Sequence, residues 1–197
     1  MNVGGRIERI RWAEAGGYAI GLAGLVAAIT FDAARSIFDI ATAVMALGLA
    51  PVMLGFYELG GRTPRALALG ALSIGGLAVF VFAAVFLGAG AGIVAIDNNL
   101  ATEGPLAIFS AAAVVIGLWL IGAPILAGSW LTLTPRWLGV ICGLAWLVES
   151  IGLLTQGTQS SVTTIGGIGV QVLFPIWGVV IGRLFAAIRL PMTSGDR

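Results

Sequence analysis

The sequence predicts an all-α protein, a polytopic transmembrane bundle of about six helices arranged as three antiparallel helical hairpins. Of the 197 residues, 59% are hydrophobic and only 10% are charged, whereas an ordinary soluble domain is roughly 25% charged. The mean hydropathy of +1.06 is too high for a surface in water. The apolar residues also fall into six runs, each close to the roughly 20 residues that a helix needs to cross a bilayer. Residues 1–197 therefore form a single transmembrane domain.

Each apolar run is interpreted as a helix, because the backbone polar groups of a segment in lipid must be satisfied within that segment. The connections are short, so consecutive helices should pack as antiparallel neighbours. A proline lies inside each even-numbered helix and should kink it; these prolines are Pro51, Pro124 and Pro175. The predicted helices cover about residues 12–30, 37–59, 66–90, 105–126, 137–155 and 165–188.

Arginine placement predicts the orientation in the membrane. The chain has ten basic residues, all arginine, a usage typical of a GC-rich bacterial genome. With the N-terminus in the cytoplasm, nine of them lie at or near the cytoplasmic side and only Arg35 lies outside, a strong positive-inside bias. We therefore expect a multi-pass protein of the bacterial inner (cell) membrane with both termini in the cytoplasm. Glu58 precedes Arg62 by four residues and is expected to form a surface ion pair with it.

Missing residue types exclude several kinds of chemistry. The chain has no histidine and one cysteine, Cys142. Haem ligation by imidazole, zinc sites built on histidine and histidine general bases are therefore excluded. Cys142 lies in an apolar run and is interpreted as a small buried hydrophobe. We expect no cofactor and no metal, and the net charge of +1 gives no indication of a nucleic-acid partner.

A few polar residues at membrane depth form the candidate site, because such residues are costly there and are functional candidates by default. Glu149 lies roughly 20 Å from the cytoplasmic start of the fifth helix, at 1.5 Å per residue. Asp39, Gln171 and Arg35 fall in the same depth range near the outer side. The sharp hypothesis is that these four residues cluster and bind a polar head group or carry a proton. The alternative is that Asp39 only pairs with Arg35 at the interface, and Glu149 is uncharged or hydrogen-bonded between helices.

Glycine pairs at four-residue spacing permit close approach of helices. The spacing serves either packing within one chain or a homo-oligomer formed through glycine-rich helix faces. The lipid bilayer is the other expected partner. The pairs are Gly17 with Gly21, Gly139 with Gly143, and Gly178 with Gly182.

Two short motifs carry a resemblance to a known family. Pro135 to Gly139 reads Pro-Arg-Trp-Leu-Gly and opens the fifth helix, and Leu173 to Trp177 reads Leu-Phe-Pro-Ile-Trp in the last. In these motifs and in layout the chain resembles the domain-of-unknown-function family numbered 4386, bacterial membrane proteins with six helices. The resemblance implies the six-helix fold, and it brings no activity and no functional residues.

Three classes of function fit these observations. A lipid-binding, partner-binding or scaffold protein is favoured, partly because it demands least of the sequence. A small proton-coupled transporter that uses the intramembrane carboxylates Glu149 and Asp39 is the first alternative. A membrane-embedded enzyme without histidine is the weakest, because no nucleophile and base are visible together.

Overall fold

A computed structural model of the protein describes residues 3–31, 33–60, 64–94, 104–158 and 160–194. In these ranges the regular structure is helical, with no strand. The described part of the chain contains six helices long and apolar enough to cross a membrane, and the second of them, Arg35–Leu59, is interrupted at Gly48. The predicted all-α six-helix bundle is confirmed. The helices are α1 (Val3–Thr30), α2 (Arg35–Leu47), α3 (Leu49–Leu59), α4 (Arg65–Gly90), α5 (Gly104–Ala127), α6 (Leu133–Gln156) and α7 (Ser161–Ser194), with a short 3-10 turn at Gly128–Trp130.

The first and last helices are longer than the apolar runs that predict them. α1 begins at Val3 rather than near residue 12, and α7 continues to Ser194 rather than ending near residue 188. Their charged ends pack on neighbouring helices: Arg9 Nε lies 2.6 Å from Glu58 Oε1, and Arg189 Nε lies 2.7 Å from Glu14 Oε2. Tertiary ion pairs therefore extend both helices beyond their apolar parts.

The Arg9–Glu58 pair differs from the surface pair expected between Glu58 and Arg62. The Glu58 side chain is only 4% exposed, so this pair is not on the surface. Arg62 lies outside the described residues. The pair between Glu58 and Arg62 therefore stays a prediction, and the partner that the described residues give Glu58 is Arg9 of α1.

Of the three membrane-helix prolines, only Pro51 accompanies an interruption of the helix. Pro51 has no N–H to donate to the carbonyl of Leu47, four residues earlier. The helix is interrupted directly after Leu47, at Gly48. The helix is continuous through Pro124 in α5 and through Pro175 in α7. The predicted kink is therefore visible as an interruption in the second span alone among the described helices.

The six spans form a closed ring. Each span packs against the next one in the chain, as the short connections predicted, and α7 packs along α1 in the most extensive helix contact of the described chain. The three predicted hairpins are consecutive parts of this ring. We call the end that carries the start of α1 and the end of α7 the proximal end, and the opposite end the distal end.

Glycine allows α1 and α7 to close the ring at backbone distance. A Cβ on Gly17 would lie 2.6 Å from the backbone nitrogen of Gly182 and 2.7 Å from the carbonyl oxygen of Gly178. The other glycines of the predicted pairs also contact helices of the same chain: Gly21 faces Val179, Gly139 faces Trp177, and Gly143 faces Gly117. These glycines serve packing within the chain, and the homo-oligomer stays a prediction.

Aromatic side chains fill the inside of the ring in two clusters. In the proximal cluster, the ring of Phe56 lies 5.4 Å from that of Trp119, 4.9 Å from that of Trp130 and 6.1 Å from that of Phe185. These edge-on contacts are the geometry that aromatic pairs prefer. The central cluster lies nearer the middle of the bundle and consists of Phe82, Phe86, Phe109, Trp146, Phe174 and Trp177.

Candidate functional site

A cavity of about 220 Å³ lies inside the distal half of the ring. The central aromatic cluster forms much of its wall, and helix α2 contributes one face to it. Along α2, Arg35, Phe38, Thr42 and Met45 all line the cavity, as residues three, four and seven apart share a helix face. We call this space the central cavity. Its aromatic walls are Phe31, Phe38, Phe82, Phe86, Phe109 and Trp146.

Polar groups from three helices interrupt the aromatic wall. Thr42 of α2, Glu149 of α6 and Gln171 of α7 line the central cavity. Thr42 Oγ1 and Gln171 Oε1 are buried and have no hydrogen-bond partner in the part of the chain that the structure describes. Each buried polar atom without a partner costs roughly 1–3 kcal/mol, so such atoms require an explanation.

Two glycines bring α7 against the backbone of α6 at Glu149. A Cβ on Gly166 would lie 2.6 Å from the Cα atom of Glu149, and a Cβ on Gly167 would lie 3.3 Å from Glu149 Oε1. One turn further on, a Cβ on Gly152 would lie 2.6 Å from the backbone nitrogen of Thr163. The carboxylate of Glu149 is thus held against the surface of α7, where side chains would otherwise stand.

The remaining pair of the predicted cluster lies at the distal end of α2. Arg35 Nε is 3.3 Å from Asp39 Oδ1; the arginine side chain is 61% exposed and the aspartate side chain 4% exposed. Asp39 does not line the central cavity. It lies towards α4, where a Cβ on Gly90 would be 3.5 Å from the Cβ of Asp39. Three of the four predicted residues therefore share one cavity wall, and Asp39 stands behind Arg35 as its counterion.

A second space of about 380 Å³ lies between α1 and α7 at the distal end; we call it the lateral cleft. The two helices touch as far as Gly24, whose added Cβ would lie 2.6 Å from the Cβ of Pro175. Beyond this contact they leave room for the cleft, which is lined by Ala28 of α1 and by Ile168 and Val172 of α7. Ile168 and Val172 are 59% and 52% exposed on the outer surface of the ring. The cleft therefore opens towards the apolar surroundings of the bundle.

The central cavity and the lateral cleft are neighbours that share Glu149 and Gln171 as lining residues. Phe31, Phe38 and Thr158 are shared as well. A cleft on the side of the bundle thus lies directly beside the cavity inside it, with the polar groups of Glu149 and Gln171 between the two.

The site offers little to a metal ion. In the described ranges no group of three or more histidine, cysteine or acidic side chains is placed to hold one. Cys142 is buried within the core. The chemistry of the site is therefore that of one carboxylate, one paired guanidinium, neutral hydrogen-bonding groups and aromatic rings.

Several residues of the site were missed by the sequence reasoning. Phe38 and Thr42 could have been found from their helical spacing to Arg35. Trp146 could have been found because it precedes Glu149 by three residues on the same helix face. The role of Gly166 and Gly167 could not be predicted from the sequence, because it depends on which helix packs against α7 at these residues.

Comparisons with known proteins add no family to this description. No protein-family model, curated protein or solved structure matches the chain. The resemblance to the domain-of-unknown-function family numbered 4386 therefore stays a prediction from the sequence. What the fold defines is a class: a multi-pass helical membrane protein with a cavity inside the distal half of its ring.

Proposed function

We propose that this membrane protein binds an amphiphilic, lipid-like molecule. The observation that carries the proposal is that the lateral cleft and the central cavity share Glu149 and Gln171. In this proposal the hydrocarbon part of the ligand lies in the cleft, and the polar group lies beside Glu149. Of the functions that the sequence favoured, this proposal selects lipid binding and assigns a binding site to it.

The linings of the two spaces support an amphiphile. Ligand sites are mostly apolar pockets with a few placed polar groups, and both spaces fit that description. Burial of each methylene group stabilises a bound chain by about 0.8 kcal/mol when the chain comes from water. A ligand that comes from the bilayer gains less from burial, so the unpartnered Thr42 Oγ1 and Gln171 Oε1 would supply much of its selectivity.

The proximal aromatic cluster favours binding over transport. This cluster around Phe56 fills the ring between the central cavity and the proximal end. A ligand could pass to the proximal end only if Phe56, Trp130 and Phe185 separated. A site that is reached from the side and is closed towards the proximal end is suited to holding a molecule within one half of the membrane.

We further propose that the cavity lies in the outer half of a bacterial inner membrane, with both termini in the cytoplasm. The support is the distribution of arginine along the ring. Arg35 is at the distal end, and the other described arginines lie in the proximal half, as the positive-inside rule expects for a cytoplasmic proximal end. These are Arg6, Arg9, Arg11, Arg65, Arg136, Arg183 and Arg189.

Blocking the lateral cleft should abolish ligand retention. Ala28 is exposed and lines the cleft, so Ala28→Trp should fill the entrance without disturbing the core. Ile29→Trp is the matched control, because Ile29 is the next residue, is 70% exposed and does not line the cleft. The measurement is native mass spectrometry of each purified variant after incubation with a bacterial polar lipid extract.

We expect the unaltered protein and Ile29→Trp to retain one amphiphile per chain. Ala28→Trp should weaken retention at least about tenfold, which is about 1.4 kcal/mol in binding free energy. Equal retention by the two tryptophan variants would show that the cleft is not the entrance.

A further inference from the structure

We propose that the ligand carries an ammonium group, and that Glu149 binds this group within the aromatic walls of the central cavity. The inference rests on the proposed function, since it names the chemical class of the molecule held there. It follows from the charges on the cavity wall, the aromatic rings around them and the unpartnered hydrogen-bond acceptors.

The charges of the distal half leave Glu149 without a counterion. Arg35 is the only described basic residue of the distal half, and its Nε lies 3.3 Å from Oδ1 of Asp39, with which it is paired. The distal positions outside the described ranges, 32, 95–103 and 159, contain no basic residue in the sequence. No basic group of the described chain lies within ion-pair distance of Glu149. An ionised carboxylate at membrane depth needs a positive partner, and the ligand can bring one.

The aromatic wall suits a cation as well as an alkyl chain. The faces of phenylalanine and tryptophan attract ammonium groups within about 6 Å of the ring centroid. The structure already contains one such contact, because the guanidinium carbon of Arg35 lies 5.2 Å from the ring centroid of Phe38. Phe82, Phe109 and Trp146 line the same cavity as Glu149, so a cation there would meet both a carboxylate and aromatic rings.

The unpartnered polar atoms select an ammonium group that has N–H donors. Gln171 Oε1 can only accept a hydrogen bond, and Thr42 Oγ1 can accept one. Both are buried on the cavity wall without a partner, and Thr42 is 2% exposed. Each of these two oxygens has less than 1 Å² of accessible surface, so a side-chain rotation must accompany its contact with a ligand. After that rotation, the three donors of a protonated primary amine can be shared among the Glu149 carboxylate and the two oxygens. A quaternary ammonium group would leave both of them unsatisfied.

The test compares two ligands that differ only in the polar group. Dodecylamine and dodecan-1-ol have the same chain, so the ratio of their dissociation constants reports the contribution of the ammonium group. Native mass spectrometry of the purified full chain in a nonionic detergent gives both constants. Glu149→Gln removes the carboxylate while keeping its shape. Glu8→Gln is the charge control, because Glu8 is exposed near the proximal end of α1.

We expect the unaltered protein and Glu8→Gln to bind the amine at least about tenfold more tightly than the alcohol. In Glu149→Gln the ratio should fall to about one, and the binding of alcohol that remains shows that the variant is folded. If Glu149→Gln does not fold, Asp39→Asn replaces it: the freed Arg35 should repel the amine and lower the same ratio. A ratio that stays at the unaltered value overturns the inference.

The two proposals fail differently. If Ala28→Trp weakens alcohol binding but Glu149→Gln leaves the amine preference intact, the amphiphile site stands and the ammonium assignment is wrong. If Ala28→Trp leaves binding of both ligands unchanged, the site itself is wrong.

The same titration distinguishes two sources of the ammonium group. Phosphatidylethanolamine and phosphatidylglycerol with equal acyl chains differ in that only the first carries an amine. A preference for phosphatidylethanolamine that Glu149→Gln removes identifies a lipid head group as the source. A preference confined to dodecylamine identifies a free amphiphilic amine.

Discussion

Gly17→Val is expected to destabilise the protein strongly, because it places a side chain in the contact between α1 and α7. A side chain at residue 17 would meet backbone atoms of Gly178 and Gly182 at 2.6–2.7 Å, and backbone cannot rotate away as a flexible side chain can. Overpacking of a well-packed interior costs typically about 1–3 kcal/mol, and occasionally more. Because this contact closes the ring between α1 and α7, we expect a loss of about 3 kcal/mol or more.

The measurement is the unfolding of purified protein in mixed micelles of increasing dodecyl sulfate content, followed by tryptophan fluorescence. Gly76→Val is the control, because a Cβ on Gly76 meets no atom within 4 Å. It makes the same change of residue type in α4 and should leave the midpoint almost unchanged. Equal midpoints for the two variants would mean that α1 and α7 can separate at Gly17 without cost, contrary to the close packing described.

Arg9→Ala should produce the second large effect, because it leaves the Glu58 carboxylate buried without its partner. The Glu58 side chain is 4% exposed, whereas that of Arg9 is 36% exposed. Removal of one member of a buried ion pair costs about 3–5 kcal/mol. The partial exposure of Arg9 places the expected loss at the lower end of that range, about 3 kcal/mol.

The two members of the pair should not be equivalent. Glu58→Gln leaves Arg9 free to turn towards water, so it should cost clearly less than Arg9→Ala. The double variant should be more stable than Arg9→Ala alone, since it removes the unpaired carboxylate. The same micelle titration measures all three variants. An Arg9→Ala variant no less stable than Glu58→Gln would show that Glu58 reaches water in the protein.

The fold could be predicted because its strongest determinants are local. Six apolar runs of helix length specify six spans in lipid, and short connections specify which spans are neighbours. The ends of α1 and α7 could not be found this way. They are polar, and they are helical because Glu58 and Glu14 on other helices hold Arg9 and Arg189.

The candidate site was predictable to the extent that charge and depth identify it. Glu149 and Gln171 are polar residues in apolar runs, and the structure places them on one wall with Arg35. The direction of Asp39 depends on how α2 is rotated against α4, which no spacing along α2 reveals. The lateral cleft depends on where α1 and α7 stop touching, and that point is set by the fit of Gly24 to Pro175.

The contact between the first and last helices also has a consequence for biosynthesis. α1 leaves the ribosome well before its partner α7, so the glycine face of α1 must wait in lipid or against the insertion machinery. The carboxylate of Glu149 waits too, because Gly166 and Gly167 of α7 form the surface on which it lies. A nascent chain that ends before α7 therefore has neither a closed ring nor a shielded carboxylate.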